Sequence, residues 1–192
     1  MKIKMGNVPF IYPVPIVLVG ADVNGKPNFE TIGDVGLMGI QPPNVHISSG
    51  ENHYTNQGIL ANQSFSINFP STDMLPKVDY CGQVSGRDID KGAIFNVFYG
   101  ELEGTPMIQA CPVNLECRVI KDFKVMHRQI FVAEVVCTHV EEAFISENGG
   151  NNSIADLTKL DPILYGLDNH YYSIGSQIGT GYQEAKKFLG TK

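Results

Sequence analysis

Hydroxyl and amide side chains gather in one short stretch whose residue types suit a phosphate group. Ser48, Ser49 and Gly50 follow a predicted strand, and Tyr54 and Thr55 precede a short helical segment. Hydroxyl groups, a glycine and a helix N-terminus can all donate hydrogen bonds to an anion. Thr55 is placed to N-cap that helix. The stretch predicts an anion site, and an ordinary strand-to-helix loop with its usual caps explains the same residues equally well.

Motifs for several other kinds of chemistry are missing from the sequence. It contains no G-x-G-x-x-G after a strand and no G-x-S-x-G elbow, which disfavours a dinucleotide fold and a serine hydrolase. The histidines are scattered, so each taken alone is more often a surface residue than a catalytic base. The cysteines lack C-x-x-C spacing, which predicts buried thiols in a reducing compartment and no metal site; they are Cys81, Cys111, Cys117 and Cys137.

Length and charge exclude some partners. With 192 residues the chain is long enough to bury a core and short enough to form a single domain over residues 1–192. The formal net charge of -6 disfavours nucleic acid and anionic membranes, which both require clustered lysine and arginine. Pro13 and Pro15 interrupt any signal-like apolar segment, and no apolar run approaches the ~20 residues of a membrane span. We therefore expect a cytoplasmic protein.

The elements around the anion stretch are predicted mainly as short strands. A β-branched run from Pro15 to Ala21 leads into an Asn-Gly hairpin signal at Asp22 to Gly25. Val45 to Ser48 forms a short alternating strand, and Ser64 to Phe69 alternates with Phe65, Ile67 and Phe69 facing inward. A second short helix is predicted through Leu75 to Gly82.

The longest predicted pair of strands lies later in the chain. It spans Val113 to Asp122 and Gln129 to Glu142, and both faces of the second strand are largely apolar, which predicts a central position. Ser146 to Ser153 is a predicted polar loop, and Gln183 to Leu189 is a predicted short helix. Many short strands and few helices favour a mainly β fold, an antiparallel barrel with added helices.

Several motifs in order along the chain resemble the flavin reductase-like family, closest to its flavoredoxin branch. The ordered match runs from about Tyr12 to Gly175. The matching motifs are Asn28-x-x-Thr31, Gln41-Pro42-Pro43-x-Val45-x-x-Ser48, Tyr54-Thr55-x-x-x-Ile59, Phe65-x-x-Asn68, Ser85-Gly-Arg-Asp-x-Asp-Lys91 and His127-x-Gln129-x-Phe131-Val132-x-Glu134.

The resemblance implies an FMN-binding split β-barrel with a few short helices. In that family FMN is held non-covalently at a homodimer interface. By position, the resemblance implies that Asn28 and Thr31 would face the edge of the flavin ring and that Lys91 would supply a charge near the flavin or its phosphate. His127, the catalytic candidate, and Tyr165 correspond to positions that line the flavin in that branch. The phosphate would be held by Ser48, Ser49, Gly50 and Thr55, with Tyr54 alongside.

The function implied is an FMN-binding oxidoreductase that accepts a hydride or electrons from NADH, NADPH or a protein donor and passes them on. A flavoredoxin-like electron carrier, or a flavin-binding module without nicotinamide-dependent activity, is the alternative. A structural β-barrel without a cofactor is a third interpretation, which rests on two of the positions where the chain departs from the family pattern. Gly50-Glu51 stands where relatives carry Arg-Lys, and Asp34 stands where the flavoredoxin branch has tryptophan.

Overall fold

The computed structural model describes residues 1–145, 156–185 and 188. The predicted polar loop from Ser146 to Ser153 lies outside these residues. Positions 186, 187 and 189 of the predicted helix from Gln183 to Leu189 lie outside them as well, and residues 183–185 form a turn and not a helix.

Short strands dominate the described part of the chain. The strands are Val14–Pro15 (β1), Val17–Val23 (β2), Lys26–Ile32 (β3), Val35–Ile40 (β4), Pro43–Gly50 (β5), Ser64–Phe69 (β6), Val97–Phe98 (β7), Met107–Ile108 (β8), Val113–Val125 (β9), Arg128–Val140 (β10), Leu164–Gly166 (β11) and His170–Tyr172 (β12). The α-helices are Thr55–Asn62 (α1), Leu75–Gln83 (α2) and Leu157–Leu160 (α3). Single 3₁₀ turns cover Thr72–Met74, Gly92–Ile94 and Glu142–Phe144.

Seven strands form one antiparallel sheet in the order β3-β2-β6-β9-β10-β5-β4. Smaller sheets join β1, β11 and β12 and pair β7 with β8. The Asn-Gly hairpin prediction is confirmed, since Asn24 and Gly25 both have positive φ between β2 and β3. This turn fixes the register that sets Asn28 opposite Ala21 and Glu30 opposite Val19.

The longest hairpin joins β9 and β10. The structure confirms the central position predicted for the second of these strands, because β10 pairs with β9 on one side and β5 on the other. Both strands reach further into the connection than the sequence suggested, and the turn is reduced to Met126 and His127. The extension of the first strand adds the cross-strand apolar pair of Phe123 with Ile130.

The main core fills the inner face of the large sheet. Phe65 and Ile67 of β6 are fully buried there with Phe131 of β10, and the Phe65 and Phe131 ring centroids lie 6.3 Å apart. Phe69 is half-buried at the edge of this cluster. The strand from Ser64 to Phe69 has the predicted bounds. A second apolar cluster packs under α2, around Phe29 and Val78.

One helix start differs from the prediction. Thr55 does not N-cap α1: it is the first helical residue, and Tyr54 before it already has helical dihedral angles, φ -66 and ψ -35. A capping side chain acts from extended backbone. The Thr55 hydroxyl instead meets Asn28 of β3. Among the residues described, no helix is long and apolar enough to cross a membrane.

Candidate functional site

A buried hydrogen bond connects β3 to the start of α1. Asn28 Nδ2 donates to Thr55 Oγ1 at 2.8 Å, and both residues are almost fully buried. These two predicted site residues are therefore in contact, although they are far apart in sequence. Because their polar atoms satisfy each other, the bond fixes the position of the helix start relative to the sheet.

A buried carboxylate lies two residues further along β3. Glu30 is 4% exposed, and its Oε2 lies 2.6 Å from His53 Nδ1. Ser49 Oγ donates to Glu30 Oε1 at 3.1 Å, so the predicted phosphate ligand Ser49 faces this carboxylate. A buried carboxylate is stable only with hydrogen bonds and a partner, which Ser49 and His53 supply.

A cavity of about 290 Å³ is lined by Glu30, His53 and Thr55, which take part in these contacts. Its walls include the predicted site residues Thr31, Tyr54, Thr55 and Lys91. Lys91 is only 4% exposed and donates from Nζ to the Cys81 carbonyl at 2.8 Å. It is therefore a buried cation rather than one member of a solvated charge cluster.

Burial also shifts the pKa values of Lys91 and of the neighbouring Cys81. It lowers the pKa of the Lys91 ammonium, and Cys81 and Glu30 partly oppose this shift. Burial raises the pKa of the Cys81 thiol to about 11, against the opposing effect of Lys91. An anion bound near Lys91 would raise its pKa again, since opposite charges favour ionisation.

A second cavity, of about 340 Å³, adjoins the first. Both are lined by Tyr54, Gly86, Arg87 and Lys91, and the second also reaches Asn28. The Arg87 guanidinium lies 5.4 Å from the centroid of the Tyr54 ring, close enough for a cation–π contact. Position 86 accommodates only glycine, because a Cβ there would collide with the Asn28 amide and the Tyr54 ring.

The Ser48 side chain and its partner Arg128 lie away from the two cavities. Arg128 Nε donates to Ser48 Oγ at 3.0 Å, and the same guanidinium pairs with Asp34. Ser48 and Gly50 are not among the residues lining either cavity. The Gly50 carbonyl accepts from Asn56 Nδ2 at 2.7 Å.

His127 and Tyr165 also lie away from the two cavities. The His127 side chain is 88% exposed at the β9–β10 turn, with Nδ1 3.4 Å from Glu51 Oε1. Tyr165 lines a separate cavity of about 300 Å³, which Thr31 also lines. Thr31 is thus the predicted site residue common to this cavity and the first one. Its hydroxyl donates to the Val78 carbonyl at 2.5 Å.

Four charged or titratable residues of this region were not among the predicted site residues: Glu30, His53, Arg87 and Arg128. The cluster Ser85-Gly-Arg-Asp contained a signal for Arg87, because a glycine beside an arginine allows close approach to a ligand. Glu30 occupies an inward position of a strand, where a carboxylate needs a partner. His53 and Arg128 carry no local signal in the sequence.

Comparison with known proteins identifies the family. Residues 9–174 match the model of the flavin reductase like domain. The chain belongs to the flavin reductase like family. This confirms the resemblance found in the sequence motifs, and with it the mainly β split-barrel fold.

Solved structures superpose on most of the chain. A flavoredoxin from Methanosarcina acetivorans is 40% identical, covers 98% of this chain and 99% of its own, and has a TM-score of 0.92. A flavoredoxin from Desulfovibrio vulgaris (Miyazaki F) is 27% identical, with coverage of 97% and 100% and a TM-score of 0.87. A split barrel protein from Shewanella frigidimarina shares 15% identity and the fold, with coverage of 88% and 86% and a TM-score of 0.77.

The contact between Asn28 and Thr55 gives a stability prediction that does not depend on any ligand. Asn28→Ala and Thr55→Val should each lower the free energy of unfolding by about 1–3 kcal/mol, because each leaves a buried polar partner unpaired. The double variant should lose less than the sum, with a coupling energy of about 1 kcal/mol. Urea unfolding of the four proteins measures the cycle.

Gln83→Ala is the matched control, since Gln83 is exposed and bonds only to Asp79 on its own helix. It should change stability by no more than about 0.5 kcal/mol. Strictly additive effects of Asn28→Ala and Thr55→Val would contradict the proposed coupling between β3 and α1.

Proposed function

We propose that this chain is an FMN-binding oxidoreductase, a single FMN-binding domain over residues 1–192. The observation that carries the proposal is the pair of adjoining cavities, with Arg87 and Lys91 in their shared wall beside the start of α1. The 40% identity to a flavoredoxin over nearly the whole chain supports a flavin as the ligand. Cavities of this size and polarity suit a cofactor that combines a charged group with an aromatic ring.

The residues of the shared wall fit a phosphate group. Arg87 offers a planar guanidinium, which binds phosphate through paired hydrogen bonds. Lys91 adds a second positive charge, and the N-terminus of α1 at Tyr54 and Thr55 adds a partial one. We therefore assign the phosphate to this wall. Arg87 takes the place of the cations that the sequence lacks at Gly50 and Glu51.

The ring end of FMN is assigned to the Thr31 side of the site. Thr31 borders both the first cavity and the cavity lined by Tyr165, so a ring extending past it meets aromatic and apolar side chains. Asn28 borders the second cavity instead, where its bond to Thr55 supports the phosphate end of the site. When bound, FMN supplies the ability to accept and release electrons, while the protein orients it and excludes water.

A buried carboxylate and an imidazole form a hydrogen-bonded pair beside the first cavity. His53 lines the first cavity, and its Nδ1 bonds to Glu30 Oε2. Glu30 thereby fixes the imidazole orientation, and the other ring nitrogen lies beside Gly50. His53 joins His127 as a candidate for proton handling during electron transfer.

The electron donor is proposed to be a reduced nicotinamide, NADH or NADPH, acting by hydride transfer. A flavoredoxin-like carrier that takes electrons from a redox protein is the second candidate, and the similarity to two flavoredoxins favours it. The exposed position of His127 at a hairpin turn suits either donor, because both must approach from solvent.

We also propose that the chain forms a homodimer through the outer side of β4. This strand ends the large sheet, and Leu37, Met38 and Ile40 on it are 65%, 59% and 81% exposed. An exposed apolar edge strand of this kind favours pairing with another chain. The nearby Arg128, Ser48 and Asp34 cluster would then lie close to the partner.

Replacement of Arg87 tests the phosphate assignment. Arg87→Met should weaken FMN binding by about 10- to 100-fold, because a charge-assisted hydrogen bond contributes about 1.5–3 kcal/mol. Riboflavin, which lacks the phosphate, should bind the variant and the wild type equally. Fluorescence quenching of each flavin on titration with protein measures both affinities.

Arg128→Met is the matched control, since Arg128 bonds to Ser48 away from the two cavities. It should leave FMN affinity within about threefold of the wild-type value. Loss of FMN affinity in Arg128→Met with none in Arg87→Met would move the phosphate to Ser48 and contradict our assignment.

Anaerobic stopped-flow mixing with NADH and NADPH tests the donor. Flavin absorbance of the FMN-loaded protein should bleach in a single phase that saturates with nicotinamide concentration. His127→Ala should slow this phase and leave FMN affinity unchanged. Loaded protein that neither nicotinamide bleaches would overturn the reductase proposal in favour of the carrier, and an unchanged rate in His127→Ala would remove His127 from the site.

Light scattering after size-exclusion chromatography tests the dimer. The wild type should elute with twice the mass of the chain, and Ile40→Asp should elute as a monomer because a buried unpaired carboxylate destabilises the interface. Leu157→Asp, on the half-exposed α3, should remain dimeric. A monomeric wild type, or a dimeric Ile40→Asp variant, would contradict the role of β4.

A further inference from the structure

Three side chains with metal-binding atoms meet on the β9–β10 hairpin, outside the flavin site. Glu116 lies on β9, and Cys137 and His139 lie on β10. The carboxylate oxygen, the thiol sulfur and the imidazole nitrogen all lie within 4.8 Å of one another. His139 Nε2 and Glu116 Oε1 lie 2.7 Å apart.

A register shift in the hairpin brings these three side chains together. Val135 pairs with Cys117, but the next pair is Cys137 with Glu116, so Val136 has no partner on β9. Residues opposite each other in a ladder share a face of the sheet, as do residues two apart on one strand. The bulge therefore puts Cys137 and His139 on the face of Glu116. Bulges of this kind commonly redirect side chains at functional sites.

The surrounding residues hold the donors in place. Glu116 is fully buried, and the Leu102 N–H donates to its Oε2 at 2.7 Å, which leaves Oε1 directed to His139. Gly100 packs on the carboxylate so closely that a Cβ would collide with it. The Phe98 ring lies edge-on to the imidazole of His139, with centroids 5.7 Å apart. Such outer contacts orient ligands in metal sites.

We propose that Glu116, Cys137 and His139 bind a divalent transition-metal ion, with zinc as the best match. Zinc accepts thiolate, imidazole and carboxylate ligands together, whereas magnesium and calcium disfavour sulfur. Tetrahedral zinc separates its ligand atoms by about 3.3–3.7 Å. The donors, between 2.7 and 4.8 Å apart, reach this spacing through small side-chain rotations.

Charge balance also favours a cation at this position. A thiolate on Cys137 and the carboxylate of Glu116 together neutralise a divalent ion. His139 also lines a cavity of about 540 Å³, which is roomy enough to supply water as a fourth ligand. None of the three residues lines the cavities assigned to FMN, so this site does not depend on the proposed function.

Zinc chloride titration of EDTA-treated, dialysed protein tests the proposal, with bound zinc measured after equilibrium dialysis. The wild type should bind one ion per chain. Cys137→Ser and His139→Gln should each weaken binding by at least about 10-fold. His170→Gln is the matched control, since His170 also lies beside a carboxylate, 3.4 Å from Asp168, but outside this cluster. It should bind zinc like the wild type.

Cobalt(II) supplies a second readout that does not depend on affinity. Wild-type protein should show visible d–d bands on the long-wavelength side of any flavin absorbance, with the intensity of a tetrahedral thiolate site, and Cys137→Ser should lose them. Circular dichroism of the metal-free variants should match the wild type. Failure of the wild type to bind zinc, or unchanged zinc affinity in either Cys137→Ser or His139→Gln, would overturn the proposal.

Discussion

Burial of two polar residues two positions apart on β3 is the constraint on which the candidate flavin site depends. Asn28 and Glu30 both point into the structure, where an unpaired amide or carboxylate would be strongly destabilising. Both find partners in one segment, because Thr55 accepts from Asn28 and the pair Ser49 and His53 satisfies Glu30. These contacts hold the loop after β5 and the start of α1 against the sheet. The cavity walls follow from that placement.

The sequence predicted the parts of the fold that rest on local patterns. The Asn24-Gly25 turn, the alternation from Ser64 to Phe69 and the doubly apolar β10 each depend on neighbours along the chain, and each is confirmed. Thr55 as a helix cap was wrong, because its hydroxyl is used by Asn28 on another element. A local sequence pattern does not show whether a distant residue will take the hydroxyl that could otherwise cap the helix.

The same reasoning explains what sequence analysis missed at the two sites. The chain lacks cations at Gly50 and Glu51, yet the fold brings Arg87 to the start of α1, beside the predicted Lys91. Cys137 and His139 form no recognisable metal motif by themselves, since Glu116 joins them only through the pairing and bulge of β9 and β10. Spacing along one segment reveals a site only when one segment supplies its ligands.

The flavin site is tested most directly by a crystal structure of the protein with FMN bound. Our account predicts density for the phosphate against Arg87 and Lys91 at the start of α1, with the ring directed past Thr31 toward Tyr165. Phosphate density beside Ser48 and Arg128, with the two cavities filled only by water, would contradict it.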